Sequence, residues 1–358
     1  MSVTMRDVAR VADVSIKTVS NVINDYPYIR LTTRQRVLDA IDELHYQPNL
    51  SARSLRLGRS GVIGLIIPDL RNVYFAELAD AVMRAAKKRD LAVLIEQVGG
   101  DRESELAVLR GPRSRLVDGI LYSVLALDQS DVGVLEEIDT PMVLLGERIF
   151  NGPTDHVTMA NVAGAVAATS HLIAMGRRHI LALGAHEGEV IGSAGLRFKG
   201  YRDALHAAGI EFDDKLVRYA GTWHRHDGAE AMRAFLDDGV EFDAMFAFND
   251  TLALGAIRVL QEAGFRIPRD VAVVGFDNID ETRYSLPALS TIDPGMDEIA
   301  ETAISMLQDR IGDRGGLIAP REVETAFTLV VRESTTGAAA HSTPRRPIAN
   351  VARDAHGS

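Results

Sequence analysis

Met5-Arg6-Asp7-Val8-Ala9-Arg10-Val11-Ala12-Asp13-Val14-Ser15-Ile16-Lys17-Thr18-Val19-Ser20-Asn21-Val22-Ile23-Asn24 is the stretch that decides the fold of the N-terminus. Met5, Val8, Ala9 and Ala12 recur at i, i+3, i+4 and i+7, one face of a helix. Asp13-Val14-Ser15 reads as a tight turn, with Ser15 the N-cap of a second helix. Val19, Val22 and Ile23 give that helix its own apolar stripe. Two short helices across a turn predict a helix-turn-helix. A third helix is expected from Thr32, where Thr32 and Gln35 have capping-box spacing. Its inner face is Val37, Ala40, Ile41 and Leu44, and Tyr46-Gln47-Pro48 ends it.

In such a unit the N-terminal turn of the second helix meets base edges in the major groove. Ile16, Lys17 and Asn21 then point outward. Lys17 can donate to guanine, Asn21 can read adenine, and Ile16 can touch a thymine methyl. Ser15, Thr18, Ser20 and Asn24 are expected on phosphates, setting register without reading sequence. Pattern alone leaves open a plain three-helix bundle with a solvated polar face.

Charge bears on that choice. The chain of 358 residues has a net charge of -11. Residues 1–60 nevertheless hold nine Arg or Lys against six Asp or Glu, a balance of +3, which leaves -14 for the rest. A basic end on an acidic body suits a modular DNA binder, because only the DNA-facing part must attract phosphates. No apolar run has transmembrane length, and Met1 to Arg10 lacks a signal-peptide core. The chain has no cysteine, which removes disulfides, thiolate catalysis and cysteine-ligated metals; a cytoplasmic location fits.

The quoted stretch, together with Thr33-Arg34-Gln35-Arg36-Val37, Tyr46-Gln47-Pro48-Asn49 and Ala52-Arg53-Ser54-Leu55, strongly resembles the lactose/galactose repressor family of bacterial transcriptional regulators. The likeness runs to about residue 335. Two departures stand out: Asp13 at a turn position where the family usually has Gly, and Ile29-Arg30-Leu31-Thr32 in place of a Val-Ser-Glu-Glu type of sequence. Between Asn49 and Gly58 the chain is short, polar and Arg-rich, and a helix of that length is marginal alone. The resemblance implies a hinge helix that forms on the operator, with Leu55 as a minor-groove wedge flanked by Arg53 and Arg56.

From Gly61 onward apolar strands alternate with amphipathic helices, and the alternation restarts after Asn161. Such strands predict parallel sheets covered on both faces, hence two doubly wound α/β lobes. Strands are read at Val62 to Ile67, Leu91 to Ile95, Gly119 to Tyr122, Met142 to Leu145, Ile180 to Leu183, Leu216 to Tyr219, Met245 to Phe248 and Val271 to Phe276. The resemblance adds a periplasmic-binding-protein-like body with crossings near 161, 292 and 322. The expected division is a headpiece over 1–48, a hinge over 49–60, and a body over 61–336. Lobe 1 would take about 61–160 plus 293–321, and lobe 2 about 161–292 plus 322–336. The tail over 337–358 has no hydrophobic period and is expected to be disordered.

Ligands of these folds bind outside the carboxyl ends of the strands, here between the lobes. Asn249-Asp250 and Asp277-Asn278 follow strands and suit a polyol. Trp223, the one tryptophan, offers a flat face for a sugar ring. The family match carries effector roles onto Phe75, Ser123, Ser193, Arg197, Trp223, Asn249 and Asp277, with Tyr74, Asp250 and Met296 behind them. Ser193 and Arg197 are read as preceding a helix over 197–208. Blander readings stand beside these: Phe75 as core, Asn249 as a helix cap, Asp277 as a turn former. Where the family often has an acidic residue after Met142 to Leu145, Gly146 stands, followed by Glu147-Arg148. Either Glu147 substitutes or that contact is lost.

The expected function is a repressor bound as a homodimer to a palindromic operator and controlled by a small molecule, a sugar by preference. The alternatives are a regulator sensing a nucleobase or phosphorylated metabolite, and a solute-binding protein without DNA function. An enzyme is not expected: there is no phosphate-cradling loop and no H-E-x-x-H, and Ile191-Gly192-Ser193-Ala194-Gly195 lacks the first glycine of a nucleophile elbow. No cofactor, metal or membrane partner is expected.

Overall fold

A computed structural model describes residues 3–23, 26–46, 59–111, 114, 116–313 and 315–337. Asn24, Arg53, Leu55 and Arg56, most of the expected hinge, and the tail beyond Gly337 lie outside the described residues.

The headpiece is three helices, α1 (Met5–Val11), α2 (Ile16–Ile23) and α3 (Leu31–Glu43). Val8, Ala9, Ala12, Val19, Val22, Val37 and Ala40 are buried together, with Tyr46 closing the cluster. Asp13 adopts a left-handed φ of 49°, a conformation a short polar side chain tolerates. Ser15 Oγ accepts from the Thr18 amide at 3.1 Å, the expected cap of α2. The capping box expected at Thr32 and Gln35 does not form: Arg30 is the N-cap, and Gln35 donates to Asp39 at 2.8 Å, one turn along the same helix. The box stands instead at α1, where the Thr4 amide donates to Asp7 at 3.0 Å.

The body has two six-stranded sheets. Lobe 1 contains β1 (Val62–Ile67), β2 (Ala92–Gln97), β3 (Ile120–Ser123), β4 (Met142–Leu145), β5 (Asp155–Met159) and β11 (Glu322–Thr325). Their order is β11-β5-β4-β3-β1-β2, parallel throughout. Lobe 2 contains β6 (Ile180–Ala185), β7 (Val217–Tyr219), β8 (Ala244–Ala247), β9 (Ala272–Phe276), β10 (Ser290–Asp293) and β12 (Thr328–Val330). Their order is β12-β10-β9-β8-β6-β7, with β12 antiparallel to β10. Helices α4 (Val73–Lys87), α5 (Arg102–Arg110), α6 (Val132–Glu136) and α11 (Met296–Gly312) belong to lobe 1. Helices α7 (Asn161–Ala174), α8 (Ser193–Ala207), α9 (Arg225–Asp237), α10 (Asp250–Glu262) and α12 (Glu333–Thr336) belong to lobe 2.

Three points differ from the sequence reading. The last crossing between lobes falls after Thr325, not near 322, because Glu322–Thr325 pairs with β5 in lobe 1. Strand β5, Asp-His-Val-Thr-Met, is wholly buried although only Val157 and Met159 are apolar. Ion pairing makes that burial possible: Arg310 donates to Asp155 at 2.6 Å and Arg321 donates to it at 2.7 Å. Helix α8 starts at Ser193 rather than near 197, so Ser193 and Arg197 both lie on it, one turn apart. Gly192, at φ 117°, turns the chain into its first turn. Helices α7 and α8 approach very closely, since a Cβ on Gly200 would lie 2.4 Å from the Val162 carbonyl oxygen.

Candidate functional site

On the headpiece, Ile16, Lys17 and Ser15 are exposed along the start of α2, and Thr18 and Asn21 are half-buried beside them. These five residues present one polar face opposite the Val19 and Val22 stripe. Ser20 departs from expectation. It is only 9% exposed and lies beside Val19 on the packed side of α2.

Between the lobes, side chains converge from the carboxyl ends of the strands. Arg197, on α8, is 1% exposed. Its Nε donates to Asn161 Oδ1 at 2.7 Å, at the start of α7. Nη1 donates to the Phe248 carbonyl and Nη2 to Asp277 Oδ1 at 3.3 Å. The guanidinium lies 3.6 Å from the centre of the Phe276 ring and 5.3 Å from that of Trp223. Such a cation is paired, hydrogen-bonded and stacked, which is what its burial requires.

Asp277 follows β9 and is 6% exposed. Burial pushes its carboxyl up to about 7, against the pull of Arg197 and reinforced by Glu147 and Glu77. Asp277 and Trp223 both hold positive φ, 111° and 59°. A tryptophan rarely adopts such a φ, so the packing around Arg197 must hold Trp223 there. Trp223 Nε1 donates to the Gly184 carbonyl at 2.9 Å, and a Cβ on Gly184 would approach that nitrogen to 3.3 Å.

Lobe 1 supplies the facing wall. Glu147 is buried after β4 and accepts from Ser193 Oγ of lobe 2 at 2.6 Å. Glu147 thus stands at the interlobe face one residue beyond the position that Gly146 occupies. Burial pushes the Tyr74 phenol up, and the charges of Glu147 and Asp277 add to that. Phe75 packs edge-on against Tyr74 at 5.2 Å and is half-buried against the core. Ser123 is buried at the end of β3. The cleft is bridged on both flanks: the Asp280 amide donates to Glu77 at 2.8 Å, and His224 stands 3.2 Å from Asp69. A cavity of about 320 Å³ lies between the lobes, lined by Glu77, Asp277, Asp280, Arg283 and Met296 among others. A larger one, about 860 Å³, opens on lobe 2 around Phe198, Arg202, Phe212 and Tyr219, away from this polar convergence.

Two expected contacts resolve into supporting parts. Asn249 caps α10, accepting from the Leu252 amide at 2.8 Å, and its amide nitrogen donates to Thr251 and to the Trp223 carbonyl. It ties the start of α10 to the Trp223 loop. Asp250 is wholly buried, accepting from Thr291 at 2.7 Å and from the Ile279 amide at 3.1 Å. Asn161 carried no sequence signal beyond its place at the start of a helix. Tyr74 ranked behind Phe75, although the charges of Glu147 and Asp277 both act on its phenol.

A helix-turn-helix head joined to a two-lobed body with a polar interlobe cleft defines a DNA-binding regulator built on a binding-protein scaffold. The model for bacterial regulatory proteins of the lacI family matches residues 4–49, and that for the periplasmic binding protein-like domain matches residues 169–335. The ribose operon repressor of Halalkalibacterium halodurans is 33% identical, over 93% of this chain and 97% of that protein. A LacI-family regulator from Sanguibacter keddieii is 53% identical, with TM-score 0.73, over 78% of this chain and 100% of that one. The lac repressor dimer bound to operator and the anti-inducer ONPF is 26% identical, with TM-score 0.80, over 94% of this chain and 99% of that one. The chain belongs to the LacI family of bacterial regulatory proteins and is a DNA-binding transcriptional repressor. Its relatives are regulators, not enzymes. Among the described residues no helix is long and apolar enough to cross a membrane.

Proposed function

We propose that operator binding by this repressor is controlled by a sugar held between the lobes. The observation that carries the reading is the convergence of Tyr74 and Glu147 from lobe 1 with Ser193, Arg197 and Asp277 from lobe 2 beside the one tryptophan. Carboxylates accept from neighbouring hydroxyls, and an aromatic face covers the apolar side of a pyranose or furanose ring. A cavity of about 320 Å³ adjoins this convergence through Asp277. A relative named for the ribose operon supports the same class. Phe75 and Ser123 complete the lobe 1 wall; Asn249 positions Trp223.

On DNA, a homodimer spans a palindromic operator. Ile16, Lys17 and Asn21 read bases, Ser15, Thr18 and Asn24 hold phosphates, and Arg53, Leu55 and Arg56 engage the minor groove. Ligand closes or shifts the lobes and so alters hinge spacing, with a coupling of roughly 1–3 kcal/mol between the two sites. Titrating ribose, glucose and cellobiose against Trp223 fluorescence, with and without a selected operator duplex, tests the reading. A saturable change that moves with operator supports it; silence toward every sugar sinks it. For the DNA face, Lys17→Ala should cost about 1–3 kcal/mol on the operator and relax base preference there. Thr18→Ala should weaken operator and random DNA alike. Equal losses from both variants on both DNAs would refute the division of roles.

A further inference from the structure

We propose that Asp118 is a positioning residue for operator binding: its carboxylate fixes the point and direction at which the DNA-binding segment enters lobe 1, and so sets which spacing of operator half-sites the dimer accepts. This rests on the reading of a homodimer on a palindromic operator and is independent of the effector's identity. Asp118 stands in the turn before β3. Its Oδ1 accepts from the Ser60 amide at 2.6 Å and from Ser60 Oγ at 2.9 Å, and its Oδ2 accepts from the Gly61 amide at 2.7 Å. Both oxygens are thus filled by donors from two consecutive residues, an arrangement that fixes orientation as well as distance. Gly61, at φ 71°, turns the chain there into β1. The same turn is closed from the other side, where the Asp118 amide donates to the Val62 carbonyl at 2.7 Å.

A second hold lies one residue upstream. Arg59 donates to the Ile311 carbonyl at 2.9 Å, in the last turn of α11. The two holds are locked to each other: a Cβ on Gly119 would lie 2.8 Å from the Leu307 side chain and 3.1 Å from that of Ile311, so the Asp118 turn and the end of α11 are in close contact. Both elements then run toward lobe 2. Strand β3 ends at Ser123, at the carboxyl edge of the lobe 1 sheet. Helix α11, 17 residues and about 25 Å long, begins at Met296 and Asp297, which line the interlobe cavity. The chain leading to the DNA is therefore held by lobe 1 as a body and not by a loose joint. In a dimer, a two-fold pair of such holds fixes the separation of the headpieces, and half-site spacing follows that separation.

The test uses the full-length dimer and a palindromic duplex selected from a random pool with the wild-type protein. Beside it stand the same duplex with one or two base pairs inserted or removed at its centre, and a random duplex of equal length. Affinities come from fluorescence anisotropy of labelled DNA at one fixed salt concentration. The wild type should prefer the selected spacing. Asp118→Ala should narrow that preference roughly tenfold, the factor that one hydrogen bond to a charged group is worth, with binding to the random duplex unchanged. Asp118→Asn, which keeps one carbonyl acceptor, should fall between. A residue that only stabilised lobe 1 would lower the melting temperature on substitution and leave the spacing preference intact. Ser60→Ala removes the hydroxyl donor alone and should narrow the preference about threefold, so the test stays decidable if Asp118→Ala fails to fold. A wild-type preference in Ser60→Ala and in whichever Asp118 variant folds, or an equal loss on every duplex, overturns the proposal. A wild-type protein indifferent to spacing overturns the palindrome reading and the proposal with it.

Discussion

Replacing Arg197 by Met isolates the energetics of the cleft, because the apolar stem survives while every polar contact goes. Three oxygen acceptors lose their donor, Asn161 Oδ1, the Phe248 carbonyl and Asp277 Oδ1, and so does the Met159 sulfur. Breaking one side of a buried ion pair costs about 3–5 kcal/mol, since the remaining charge stays in low dielectric. Asp277 escapes part of that cost by taking a proton, and it already titrates at about 7 with Arg197 pulling it down. The deficit should therefore be largest near pH 8 and smaller near pH 5.5, where Asp277 is neutral in both proteins. Asp277→Asn in the Arg197→Met background should recover roughly 2 kcal/mol at pH 8, because no charge is left stranded. Trp223 is the one tryptophan and lies in lobe 2, so its fluorescence during urea or thermal unfolding reports the right unit. At pH 8 the single variant should melt lower by roughly 6–20 °C. A cost below about 1 kcal/mol, or a deficit that neither pH nor the second substitution changes, would refute this account of Arg197.

Two further outcomes follow from the same physics. The lobes should respond to pH with opposite signs. Asp277 is raised from an ordinary 3.8 to about 7, so the folded state binds the extra proton and lobe 2 loses stability as pH climbs across that window. Asp155 is lowered; burial opposes this, but hydrogen bonds from Arg310 and Arg321 outweigh it, so lobe 1 loses stability as pH falls through its depressed range. Hydrogen exchange resolved by lobe should show lobe 2 losing protection from pH 5 to pH 8 and lobe 1 losing it from pH 5 to below pH 4, and identical profiles for the two lobes would contradict it. Gly200→Ala should destabilise lobe 2 by about 1–3 kcal/mol, because the new Cβ meets the Val162 carbonyl oxygen, which belongs to the backbone of α7. An unchanged melting temperature would mean that the two helices can part without cost.

Much of the fold is readable in the sequence because local rules and burial agree there. The stripes at Val8, Ala9 and Ala12 and at Val19 and Val22 became the headpiece core, and runs such as Val62–Ile67 and Ala272–Phe276 became buried strands. Periodicity failed where polar residues are buried. Strand β5 and β11 read as neither strand nor core, because Asp155 enters the interior only with Arg310 and Arg321, distant in sequence. The cleft follows the same division. Residue type and strand-end position singled out Arg197, Trp223 and Asp277. That Asn249 serves a helix end, that Glu147 reaches across to Ser193, and that Arg197 has its donors already occupied are facts of tertiary packing. Sequence by itself determined the helix-turn-helix, the alternation of strand and helix and the family. Only the three-dimensional structure decided which polar side chains satisfy one another and which remain to meet a ligand, because hydrogen-bond saturation depends on neighbours that no local pattern contains.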